Sequence, residues 1–130
     1  MAETKTLASN KRLLVRDSDD RIDVRDIVYN GKVMHVLIDG IDRLCRKTIS
    51  PIMYVNGRKL LKASGFDRLN VYERRLLRKA LLKIARVYGM GTYYANDRTY
   101  VILDARRLRA MTREEMVEEF TRIILEGDEA

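Results

Sequence analysis

Met34, Leu37, Ile38, Ile41, Leu44 and Cys45 recur at three- and four-residue spacing, with Asp39, Asp42, Arg43 and Arg46 on the opposite side. That pattern predicts an amphipathic helix from about Lys32 to Lys47, with Gly40 inside it. A second repeat, Leu77, Leu81, Ile84 and Tyr88 flanked by Ala80 and Ala85, predicts a long helix. Its start is marked by Asn70 and, three residues on, Glu73, the two halves of a capping box. A third stripe, Met116, Val117, Phe120, Ile123 and Ile124, follows the same kind of box at Thr112 and Glu115 and stops at Gly127.

The segments between these helices read as strands and turns. Before the first helix, Ile22, Val24 and Val28 keep a partial alternation up to Asn30-Gly31, a dipeptide that favours a two-residue hairpin turn. Hairpin and helix compete there, and the apolar periodicity favours the helix. Ser50-Pro51 breaks it, and Ile52 to Val55 predicts a short strand. Asn56 then caps a short helix through Ala63, ended by Gly65 in a left-handed conformation. The competing hairpin at Asn56-Gly57 would force Lys59 to Lys62 into a strand for which they have little propensity. After Tyr88, Gly89 and Gly91 release the chain into a hairpin about Asn96-Asp97. A two-residue loop pairs Ala95 with Arg98, Tyr94 with Thr99 and Tyr93 with Tyr100.

Three parts follow: residues 1–20, polar apart from Leu13, Leu14 and Val15, as a mobile arm; 21–109 as the main domain; and 110–130 as a C-terminal helix. The stripe of that last helix is apolar enough either to close the domain's own core or to meet its twin in a homodimer through residues 113–125. With 130 residues and 46% apolar content, one compact core is expected. No apolar run has the length of a membrane span or a signal peptide's apolar segment, so the expectation is a soluble cytoplasmic protein with no membrane partner. Cys45 is the sole cysteine, which leaves no disulfide framework and suggests a buried thiol. Glutamine and tryptophan are absent while 35% of residues are charged, a composition that leans towards a thermophilic source.

Charge separates the chain more sharply than hydropathy does. The net +7 resolves into ten basic against eight acidic residues over positions 1–50, fourteen against four over 58–109, and two against seven over 110–130. Within the basic centre, Arg74, Arg75, Arg78, Lys79, Lys83 and Arg86 occupy what the wheel makes the solvent side of the long helix, with Glu73 the single acid among them. Like charges at helical spacing repel. A helix that keeps so many suggests an anionic partner, and nucleic acid is the natural one. The competing account is a solvated thermophile surface, which would make the protein an interaction module.

Catalytic chemistry finds little support, so an enzyme is not expected. His35 is the only histidine and is flanked by Met34 and Val36, which suits a structural role. Asp17, Asp19, Asp20, Asp23 and Asp26 lack the glycine and terminal glutamate of a calcium loop and alternate with Arg16, Arg21 and Arg25, which predicts surface ion pairs. Gly89 and Gly91 follow a helix, whereas a phosphate-cradling loop precedes one. Neither a metal nor a cofactor is expected.

The element order helix, short strand, helix, turn, basic helix, hairpin resembles the winged helix-turn-helix family over about residues 33–103. Gly65, Phe66, Asp67 and Val71 look like its turn: a glycine, an apolar residue, a polar cap and a second apolar residue. The sequence departs from the pattern at Arg74, where an apolar residue is usual and Leu76 or Leu77 would have to serve instead. The resemblance implies an α+β fold, a three-helix core with a β-hairpin wing plus the C-terminal helix. It also implies a duplex-DNA regulator or chromatin-associated factor, associated with the nucleoid, whose Asn70 helix enters the major groove. In that arrangement the arginines of the helix could bond guanine edges, and its lysines would meet phosphates. Arg98 of the wing and Arg58, Lys59 and Lys62 of the preceding helix would add backbone contacts. RNA is the other candidate ligand, since Tyr93, Tyr94 and Tyr100 could stack on unpaired bases, although packing of a hairpin would use tyrosines too. The segment YVILDARRLRAMTREEM also looks faintly like small subunits of archaeal CRISPR surveillance complexes. That likeness implies a basic ribonucleoprotein subunit that binds backbone without sequence preference.

Overall fold

The computed structural model describes residues 21–126. The arm expected over residues 1–20 and the helix stop at Gly127 lie outside them. The described residues form an α+β fold with six helices and one three-stranded antiparallel sheet. In chain order the elements are α1 (Val24–Val28), α2 (Gly31–Lys47), β1 (Ile52–Val55), α3 (Gly57–Ser64), α4 (Val71–Tyr88), β2 (Gly89–Ala95), β3 (Arg98–Asp104), α5 (Ala105–Arg109) and α6 (Arg113–Glu126). Strand order is β1-β3-β2, so the sheet joins a strand from before α3 to the hairpin that follows α4.

No hairpin forms at Asn30-Gly31. Asn30 caps α2 instead, its side-chain oxygen accepting from the Val33 amide at 3.0 Å. The turn propensity of two residues yields to burial of a seventeen-residue amphipathic face. Asn56 caps α3 through the Lys59 amide, and Gly65 ends it at φ +82°. Asn70 and Glu73 form the capping box of α4 reciprocally, at 2.8 and 3.0 Å. Thr112 and Glu115 do the same before α6. The turn residues Asn96 and Asp97 both have positive φ, 52° and 60°, and the strand register is Ala95↔Arg98, Tyr94↔Thr99 and Tyr93↔Tyr100, as the two-residue loop predicts.

α2 is the central helix. Val33, Val36, Leu37, Ile41 and Cys45 are fully buried, and α3 crosses it at Gly40, where a Cβ would stand 2.9 Å from the Leu60 carbonyl oxygen. Gly40 is therefore the price of a close helix crossing, and its place inside the helix is explained by packing. A tighter constraint joins α4 to β2. The helix ends at Tyr88 and the strand begins at Gly89, whose N–H is bonded to the Ala85 carbonyl; a Cβ on Gly89 would lie 2.2 Å from that oxygen. The α6 stripe is turned into this same core: Met116, Phe120 and Ile124 are fully buried and Ile123 nearly so. It closes the core of the chain, leaving Val117 and Leu125 as the exposed large apolar side chains of α6.

Candidate nucleic-acid interface

Between α3, α4 and the β2–β3 hairpin lies an open groove of about 790 Å³. Leu61, Leu69, Leu77 and Leu81 contribute apolar lining. Arg58, Lys59 and Lys62 reach it from α3, Arg74 and Arg78 from α4, and Arg98 from the first position of β3. Asp67 is the single carboxylate among the lining residues. Six of the ten cations proposed from sequence thus share one concave surface, although they come from three segments.

The geometry of each segment follows from its local chemistry. The Asn56 cap starts α3 so that positions 58 and 62, one turn apart, point the same way. The Asn70–Glu73 box does the same for Arg74 and Arg78. Glu73 is 8% exposed, and its carboxyl is held below the usual glutamate range, chiefly by the Asn70 N–H it accepts, with Lys32 Nζ at 3.5 Å adding attraction. Val71 is 64% exposed, and Leu69, at 4%, makes the apolar contact of the turn before α4. Arg74 is exposed on the groove, while Leu76 and Leu77 enter the core. Lys59 is engaged within the chain: its Nζ donates to the Tyr54 carbonyl at 2.8 Å and stands 5.9 Å from the centre of the Tyr100 ring.

The remaining four cations are not on this surface. Arg75, Lys79 and Arg86 lie about 100° further around α4, away from the groove. Lys83 corrects the wheel: it is 2% exposed, and it is not without a partner. The wheel assumes one covered side, but α4 packs against α1, α2, α3, α6 and the sheet, and that cover wraps past the position of Lys83. Lys83 cannot meet a ligand in this fold.

Arg107 and Arg109 of the basic centre, and Arg46 ahead of it, turn inward to backbone carbonyls. Arg109 Nη1 lies 2.8 Å from the Thr48 carbonyl and 3.2 Å from that of Ser50, pinning the chain that leaves α2. Arg46 donates to the carbonyls of Arg109 and Met111, Arg107 to that of Val87 at 3.0 Å, and the Arg107 guanidinium sits 4.3 Å over the Tyr88 ring. Asp39, placed on the polar side of α2 by periodicity, is 7% exposed and pairs with Arg113 of α6, with Arg43 and with His35. His35 is half-exposed and packs on Phe66 at 5.0 Å between ring centroids. Cys45 is buried as expected, and burial pushes its thiol upward. Asp23 and Arg25 form the expected kind of surface pair at 2.9 Å, while Asp17, Asp19 and Asp20 lie outside the described residues.

Tyr93 and Tyr100 share the outer face of the sheet, and Tyr94 is on the other face. Sequence reasoning missed Tyr54 of β1, whose ring meets that of Tyr93 at 5.0 Å. Its signal would have been the pairing of β1 with β3, which nothing local to residues 52–55 reveals. Among the described residues, no group of three or more His, Cys, Asp or Glu side chains is placed to hold a metal ion, and no helix is long and apolar enough to cross a membrane. No protein-family model, curated protein or solved structure matches the chain.

Proposed function

We propose that this chain is a non-enzymatic nucleic-acid-binding protein of winged-helix-like arrangement, with α4 laid along duplex DNA and the β2–β3 hairpin as its wing. The observation that carries this reading is the groove, where Arg58, Lys62, Arg74, Arg78 and Arg98 converge against one carboxylate. Collected cations repel one another, and a phosphate backbone is an anion with the extent and spacing to relieve repulsion along a surface of this length. Element order and the β1-β3-β2 strand order support the winged-helix reading. So does the exposure of the N-terminal half of α4, where Val71, Tyr72 and Arg74 stand clear of the core. In this reading Arg74 and Arg78 face the duplex, Arg98 meets backbone or an adjacent minor groove, and Arg58 and Lys62 hold phosphates.

A salt titration tests it. If the groove and its surroundings neutralise roughly six phosphates, affinity for duplex DNA falls about a thousandfold or more between roughly 50 and 200 mM salt. A flat response would remove the reading. Preference for a defined duplex sequence identifies a regulator; equal affinity for unrelated duplexes and for single-stranded RNA identifies an assembly subunit that binds backbone alone.

A further inference from the structure

The outer face of the sheet carries two aromatic rings, Tyr54 and Tyr93, that do not line the groove. Tyr54, Tyr93 and Tyr100 form a connected aromatic surface: ring centroids are 5.0 Å apart for Tyr54 and Tyr93 and 6.3 Å for Tyr93 and Tyr100. Tyr93 is 50% exposed and Tyr54 38%. Ile102, opposite both Tyr54 and Gly91, shares this face, with its Cδ1 beside the space that Gly91 leaves without a side chain. The core needs none of these rings, because Met53, Val55, Val101 and Leu103 fill the inner face of the same strands.

Charge identifies what suits this face. Lys59 Nζ stands over the Tyr100 ring, and Arg98 shares the pleat face of Tyr100 two residues earlier on β3. The nearby carboxylates are set aside: Asp97 accepts from the Tyr94 hydroxyl at 3.2 Å, and Asp104 caps α5 at the far end of β3. Neutral rings edged by cations match a nucleotide, base on the ring and phosphate on the cation. Tyr100 and Arg98 also line the groove, so the two surfaces are continuous.

We infer that the outer sheet face is a stacking surface for unpaired bases, and that the preferred ligand is a duplex carrying a single-stranded extension. The inference rests on the nucleic-acid reading of the groove and adds a substrate class to it. The test compares fluorescence anisotropy for a blunt duplex, the same duplex with an extension of about ten nucleotides, and that single strand alone. The extension is expected to tighten binding by about tenfold, within the range of one or two stacked bases. Tyr93→Ala removes this gain and leaves the blunt duplex unchanged, while Tyr93→Phe keeps it. A 2-aminopurine in the extension is quenched on binding to the native protein and not to Tyr93→Ala.

Equal affinity for blunt and extended duplexes overturns the stacking surface and spares the groove. Tight single-strand binding lost in Tyr93→Ala, without blunt-duplex binding at any salt, keeps the stacking surface and overturns the duplex reading. Absence of binding to all three probes removes both. Self-association abolished by Tyr93→Ala, with no preference among the probes, reassigns the face to a second copy of the chain and overturns the inference.

Discussion

Two groups of arginines carry the same charge and do opposite things with it. On the groove side, Arg58, Arg74 and Arg98 are exposed and, among the described residues, carry no ion pair. On the α5 side, Arg46, Arg107, Arg109 and Arg113 are bound to carbonyls of distant segments, to an aromatic ring or to Asp39. The second group closes orphaned carbonyls at helix ends and joins α6 to α2. Sign alone does not make a binding surface; what each guanidinium already touches decides whether it has anything left to offer.

The largest effect expected from this contrast is the triple substitution Arg58→Ala, Arg74→Ala and Arg98→Ala, one cation from each segment of the groove. It should weaken duplex binding on the order of a hundredfold and shallow the salt dependence by about three powers, with thermal stability unchanged. Arg109→Ala should do the reverse: a stability loss of about 1.5–3 kcal/mol by urea denaturation, from carbonyls that lose a charged donor, with an unaltered salt slope. A steeper loss of binding than of stability there would erase the distinction. Neighbours on one helix sharpen it further. Arg74→Ala should cost roughly fivefold in affinity and Arg75→Ala less than about twofold, and the opposite ranking would put the ligand on the other side of α4.

The smallest effect concerns the start of α4. The Glu73 carboxyl titrates below its ordinary value, so its stabilising contribution is complete above the usual glutamate range near about 4.3 and fades as pH falls through the lower folded value. Glu73→Gln should therefore be less stable than the native protein at neutral pH, with the gap closing on acidification. A gap that widens in acid would contradict the assignment.

Where local chemistry decided the structure, the sequence was legible. The Asn96-Asp97 turn set the hairpin register residue by residue, and the boxes at Asn70 and Thr112 started their helices where expected. Legibility stopped where distant segments meet. Lys83 stands at proper helical spacing with its neighbours, and only the packing of several elements around α4 shows that its stripe dips into the core. Arg109 counted towards the basic centre until its carbonyl partners, some sixty residues away, took it out of the surface. Tyr54 joined the aromatic face through a strand pairing of equally long range. The groove itself was half visible: the cations were named, but the division of α4 into a side that faces it and a side that does not required the position of the hairpin.

That position is set at Gly89. Helix and hairpin are one uninterrupted run of chain, with no linker between Tyr88 and Gly89 to absorb a rotation. On the proposed function, a ligand would meet a gauge of fixed width and would have to match its span on arrival. Little ordering entropy would be lost on binding to such a gauge. Its selectivity would rest on the diameter and curvature of what enters as much as on charge, and a larger residue at position 89 would reset that width without altering a single cation.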